Sequence, residues 1–136
     1  MKKIFFIAAV IVSFGACNNK STEKAFQVSG TITNNPATMI YLEEIPMATM
    51  QRVVIDSATI GKDGKYSLKA AIAEDRVYNL RLDQHEYPMA AVINDGPKVT
   101  VDATFAKENN QFAEKYDVKG SVASQQMKDF LIAFIN

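Results

Sequence analysis

From Phe26 onward, apolar and polar residues alternate with a period of two in short runs separated by turn-forming residues, the signature of half-buried antiparallel strands. In FQVSGTIT, Phe26, Val28 and Ile32 share one side and Gln27, Ser29, Thr31 and Thr33 the other, and Asn34-Asn35-Pro36 ends the run. A second strand is expected near Thr38 to Glu44 and a third in RVVIDSATI. The third leads through Gly61-Lys62-Asp63-Gly64 into KYSLKA, where Tyr66, Leu68 and Ala70 alternate with Lys65, Ser67 and Lys69. Asp63-Gly64 predicts a mirror-image hairpin turn with positive φ at both central residues. RVYNLRLD places Tyr78, Leu80 and Leu82 on one face, whereas MAAVI, continuously apolar, predicts a strand covered on both faces. Asn94-Asp95-Gly96-Pro97 supplies a turn before KVTVDATF, and a last short strand is expected around Tyr116 to Lys119. Eight short strands with tight turns predict an all-β fold, an antiparallel β-sandwich or partly closed barrel.

Ser121 is placed to cap a C-terminal helix from residue 122. Val122, Gln126, Phe130 and Phe134 recur at helical spacing, flanked by Met127, Leu131 and Ile135. So apolar a stripe needs cover. It reads as the start of a linker to a further domain or, alternatively, as a helix closing one end of the sandwich.

The first residues follow a different pattern. Lys2 and Lys3 precede an apolar run from Ile4 to Phe14, and the small pair Gly15-Ala16 stands before Cys17. This is a secretory signal layout, and the apolar stretch is shorter than the roughly 20 residues a helix needs to span a bilayer. Phe14-Gly15-Ala16-Cys17 resembles the lipobox of bacterial lipoprotein precursors. That resemblance implies cleavage after Ala16, with Phe14, Gly15 and Ala16 as the signal-peptidase recognition residues and Cys17 as the lipidated first residue of the mature chain. Acyl chains stabilise membrane attachment by about 0.8 kcal/mol per buried methylene, so several chains on Cys17 would make the attachment permanent. The polar stretch Asn18 to Lys24 reads as a tether. The expected organisation is a signal peptide over 1–16, a lipidated cysteine and tether over 17–25, a β-sandwich over 26–120 and an amphipathic helix over 121–136.

Composition narrows the partners. Hydrophobic residues make up 48% of the 136 and charged residues 22%, a globular balance. Fifteen basic residues offset fifteen acidic ones, so the positive field that nucleic-acid binding needs is missing and no nucleic-acid partner is expected. Removal of Lys2 and Lys3 with the signal peptide leaves a mildly acidic mature chain, which assigns membrane attachment to the lipid and not to a polybasic patch. A single Cys excludes an intrachain disulfide, a CxxC pair and a cysteine-rich zinc site.

Candidate chemistry is sparse. His85, the one histidine, stands in Asp83-Gln84-His85-Glu86-Tyr87, which is read as a solvated loop and not as a metal or acid–base site. Asp56-Ser57 lacks the glycine elbow of an activated serine. Lys62-Asp63-Gly64-Lys65 is hairpin chemistry, because lysines occupy the positions where a calcium loop carries ligands. Tyr41, Tyr66, Tyr78, Tyr87 and Tyr116, with Met39, Met47, Met50 and Met89, are expected in core or rim positions, the alternative being an aromatic binding surface. Glu43-Glu44 and Arg81 to Asp83 are read as solvated faces. No phosphate-binding or dinucleotide motif occurs, and no catalytic residue, metal site or cofactor is expected.

VSGTI, IYLEE, VVIDSATIGKDGKYSLKA, YNLRL, INDGPKVTVDA and YDVKGSVASQQMKDF together resemble an uncharacterised N-terminal domain of bacterial envelope lipoproteins. Its landmarks here are Gly30, Asp56, Asp63 to Tyr66, Asn94 to Gly96, and Gly120-Ser121. In that family the domain commonly precedes a thioredoxin-like or peroxiredoxin-like thiol-disulfide oxidoreductase domain, whose CxxC this chain lacks. The resemblance implies an accessory module that positions a catalytic domain, associates with itself or contacts a client protein, and no redox activity carries over with it. No acidic run follows Cys17, which points to a periplasm-facing anchor in the cell envelope. Two alternatives are the N-terminal part of such an oxidoreductase and a domain binding a small ligand or carbohydrate on a sheet face.

Overall fold

The computed structural model describes residues 24–72, 74–108 and 110–135. The elements run β1 (Lys24–Thr33), β2 (Met39–Glu44), β3 (Val53–Thr59), β4 (Lys65–Ile72), β5 (Val77–Leu82), β6 (Ala90–Ile93), β7 (Lys98–Phe105), β8 (Ala113–Lys119) and α1 (Val122–Ile135). They form two four-stranded sheets, ordered β4-β1-β7-β8 and β3-β2-β5-β6. The fold is the expected β-rich sandwich with a C-terminal helix, and the predicted strands fall within a few residues of the observed ones.

Strand direction reverses at every connection, so neighbours of opposite parity in the chain order are antiparallel. β1 and β7 are both odd and pair in parallel, with Val28 opposite Val99 and Ile32 opposite Ala103. The sheets pack through the residues that the alternation assigned inward. Phe26, Val28, Leu68, Val99 and Val101 on one side meet Ile40, Leu42, Leu80, Leu82 and Val92 on the other, all fully buried. Phe26 stacks on Tyr78 across the interface with ring centroids 5.6 Å apart.

Gly30 has a steric reason. A Cβ there would lie 1.8 Å from the Val101 carbonyl oxygen of β7. Tyr66, its partner on β4, covers the gap and donates its hydroxyl to that same oxygen at 2.8 Å. Burial, and then the nearby Asp102 carboxylate, push the Tyr66 phenol well above its ordinary pKa. Asp102 itself accepts the Thr31 N–H at 2.9 Å.

Three local expectations change. The turn between β3 and β4 closes with the Gly64 N–H donating to Gly61 O at 2.8 Å, and of its residues Gly64 alone has positive φ, at 78°. β3 and β4 lie in different sheets, so this turn crosses between the layers on a left-handed glycine, and it is neither the expected hairpin nor the mirror-image turn, which needs two such residues. β6 is an edge strand, so Ala90 and Val92 are buried while Ala91 and Ile93 stay half-buried, unlike a strand covered on both faces. The apolar stripe of α1 is also not buried. The helix lies beside β6 and β8 at one open edge of the sandwich, turning Ser124 inward and leaving Val122, Phe130 and Phe134 exposed.

Candidate functional site

Phe14, Gly15, Ala16 and Cys17, the sequence-predicted processing and lipidation residues, lie outside the described residues. No helix among the described residues is long and apolar enough to cross a membrane.

The most elaborate side-chain cluster lies on the outer face of the second sheet, where the sequence pattern predicted a solvated surface. Glu43 is only 1% exposed. A bulge in the β2–β3 pairing, with Leu42 opposite Asp56 but Glu43 opposite Val54, leaves Ile55 as the extra residue beside it. Arg81, from β5, donates Nε to Oε1 and Oε2 at 3.0 Å and Nη2 to Oε1 at 2.6 Å. Its Nη1 donates to Leu82 O and His85 O, and its guanidinium lies 4.9 Å from the centre of the Tyr41 ring. The Glu43 bond, partly opposed by burial, raises the Arg81 pKa above its ordinary value. Arg52 approaches the same carboxylate at 3.4 Å and donates Nη2 to Glu86 O at 3.0 Å. Glu43 and Arg81 are thus a buried, bidentate pair and not a solvated face. Two guanidiniums tie the segments before β3 and after β5 to one carboxylate. A lone Glu among alternating residues gives no signal of this, because the bulge and both arginines reach it through the fold.

The other polar residues are occupied by the backbone. Asp56 accepts the Ser57 N–H at 2.8 Å and the Lys69 N–H of β4 at 2.7 Å, tying the two sheets along β3 and β4. Asp83 accepts Thr38 N–H, Thr38 Oγ1–H and Met39 N–H. Burial alone would raise its pKa, but these hydrogen bonds outweigh it and hold the carboxyl below the ordinary carboxylate value. Asp63 accepts the Lys65 N–H within the β3–β4 turn.

Asn94-Asp95 organises one end of the sandwich. Buried Asn94 accepts the Arg76 N–H at 2.6 Å and donates to Glu74 O at 3.0 Å, fastening the β4–β5 connection. Asp95 accepts the Ala123 N–H in the first turn of α1, and the Ser121 hydroxyl followed by that backbone bond lowers its pKa. Ser121 caps the helix as expected, its Oγ accepting the Ser124 N–H at 2.9 Å. Ser124 Oγ in turn accepts the Ile93 N–H at 2.7 Å.

His85 sits half-buried, its ring centre 5.9 Å from that of Phe105. No group of three or more His, Cys, Asp or Glu side chains is placed to hold a metal among the described residues. Tyr66 and Tyr78 are core, Tyr41 and Tyr116 are half-buried, and Tyr87 is exposed beside Phe112 with ring centres 6.1 Å apart. Every buried side-chain nitrogen or oxygen among the described residues has a partner. What the molecule offers outward is apolar surface: Val53, Val54 and Ile55 on edge strand β3, Ile45, Met47 and Met50 in the β2–β3 connection, and the outer side of α1.

A two-sheet sandwich whose landmark residues serve turns, caps and sheet ties defines a structural domain class, not a chemistry. The match to a family is direct. Residues 26–127 match the family described as Domain of unknown function (DUF4369), and the chain belongs to that family. No curated protein and no solved structure matches the chain.

Proposed function

We propose that the chain is a lipid-anchored accessory domain of a bacterial cell envelope, held to a membrane by acyl chains on Cys17 and facing the periplasm. It works by contact with a protein partner or with itself, without nucleic acid, cofactor, metal or catalysis of its own. The observation that carries the contact reading is the outer side of α1. Phe130 and Phe134 stack on each other 6.3 Å apart while remaining exposed, Phe134 at 81%. Neighbouring large aromatic side chains left in water mark interaction surfaces.

Anchoring is tested by fatty-acid labelling and fractionation of the wild type and Cys17→Ala. The expected result is label and membrane recovery for the wild type and neither label nor mature lipoprotein for the variant. Wild-type protein recovered in the aqueous fraction with a free thiol overturns the anchor. Contact through α1 is tested by sedimentation and by in-cell photocrosslinking from position 130. A defined adduct lost in Phe134→Glu supports it, and a monomer without adduct counts against it.

The same helix face favours a second reading, that the domain serves as the N-terminal module of a thiol-disulfide oxidoreductase whose next domain covers Phe130 and Phe134. A continuous reading frame encoding a CxxC-bearing domain after codon 136 supports this, and a stop codon there removes it.

A further inference from the structure

The register of the strands places several exposed apolar residues at the end of the sandwich from which β1 starts. Lys24 pairs with Ile72, and the Gln27 N–H donates to Pro97 O, so β1 begins beside the β4–β5 and β6–β7 connections. β2 ends at the same place, because Arg76 Nη1 donates to Glu44 Oε2 at 2.8 Å. Val77 opens β5 opposite Ile93, and Ser124 ties the first turn of α1 to Ile93. Ile45, Met47, Met50, Val77 and Val122 therefore share this end, and all are exposed, Met47 at 87%. Ile45, Met47 and Val77 line one shallow hollow with Glu44, Glu74 and Arg76. Arg76 pairs with both Glu44 and Glu74, so these three side chains carry no excess positive charge and one net negative charge.

Chain length selects what this end meets. From Cys17 to Lys24 there are seven residue steps, which span at most about 25 Å when fully extended. β1 itself, from Lys24 to Thr33, is about 30 Å long at the usual strand rise. A domain anchored through Cys17 can bring the start of β1 to the bilayer surface, whereas the tether is too short to let the opposite end, with the Gly61 to Gly64 turn, face the bilayer. We propose that the end bearing Ile45, Met47 and Val77 rests in the lipid interface as a second, non-covalent membrane contact. The flexible Met47 side chain and the compact apolar Ile45 and Val77 enter the boundary between headgroups and acyl chains there. This inference rests on the lipid-anchor reading. Because the hollow has no excess positive charge, apolar insertion carries the contact and anionic lipid is not required.

The test uses the full acylated protein in phosphatidylcholine vesicles. Met47→Cys, Val77→Cys and, on the β3–β4 turn of the opposite end, Lys62→Cys each carry an environment-sensitive fluorophore, Cys17 being blocked by its lipid. Expected are blue-shifted emission and quenching by doxyl-labelled lipid at positions 47 and 77, with neither at 62. Equal, water-like emission at all three positions in protein whose acylation is confirmed by mass spectrometry overturns the membrane contact and leaves the anchor standing. Protein found without acyl chains removes the anchor and this inference with it. Blue-shifted emission at 47 that lipid-borne quencher leaves untouched, and that grows with protein-to-lipid ratio, assigns this end to a second copy and overturns the proposal.

Discussion

Glu43 and Arg81 stand diagonally across the β2–β5 pairing, and the carboxylate of the first takes two nitrogens of the second while almost wholly removed from water. A buried ion pair adds little net stability when intact, since desolvation offsets the attraction, but removing one partner strands the other. Arg81→Ala leaves the buried Glu43 carboxylate with only the 3.4 Å approach of Arg52 and is expected to cost about 3 kcal/mol, the lower end of the range for a buried charge that loses its partner. Arg52→Ala, from a side chain 44% exposed, is expected to cost about 0–1 kcal/mol. Urea denaturation of the two variants checks the order, and equal effects would show that Arg81 does not hold the pair alone.

Gly30→Ala places a methyl group 1.8 Å from Val101 O, which only a separation of β1 from β7 can relieve. We expect a loss on the order of 4 kcal/mol, at the top of the usual range for single substitutions. Tyr66→Phe keeps the ring over Gly30 but removes one hydrogen bond, and is expected to cost about 1–2 kcal/mol. Thermal unfolding followed by circular dichroism separates the two.

Acid sensitivity follows from Asp83 and Asp95, whose folded pKa values lie below the ordinary one. A carboxyl with a depressed folded pKa contributes its full stability above the unfolded value, about 3.9, and loses it as pH falls through the folded value. The urea midpoint should therefore drop on acidification below about pH 4. Asp83→Asn and Asp95→Asn should each flatten that slope. A slope unchanged in both variants would assign the acid transition to other carboxylates.

Ser121→Ala removes the N-cap of α1 and should cost about 1 kcal/mol. Ser124→Ala leaves the Ile93 N–H without its acceptor and should cost about 1–3 kcal/mol. Hydrogen exchange distinguishes the two losses. Faster exchange at Ile93 is expected in Ser124→Ala, and faster exchange of the Ser124 amide in Ser121→Ala.

Much of this molecule was legible from local pattern. Phe26, Val28 and Ile32, or Val99, Val101, Ala103 and Phe105, announce an inward face because a strand's side chains alternate whatever lies across from them. Ser121 announces a cap because its hydroxyl meets an N–H three residues away. The buried Glu43, by contrast, depends on Arg81, 38 positions along the chain, and on a bulge that no single run of residues displays. Asn94, reaching back to Glu74 and Arg76, reads as an ordinary turn residue until the connection it fastens is seen.

By itself the order of residues determined the number of strands and the inward faces of most of them, the helix and its cap, and the lipobox-like run ending at Cys17, all properties set within a few neighbouring positions. Only the tertiary structure decided that β1 and β7 run parallel, that Glu43 is sealed beneath two arginines, and that the stripe of α1 faces outward. It also gathered Ile45, Met47, Val77 and Val122 at the end where β1 begins. The physical reason is that alternation and capping act through covalent neighbours, whereas pairing partners, buried charges and shared ends are fixed by contacts between segments far apart in the chain.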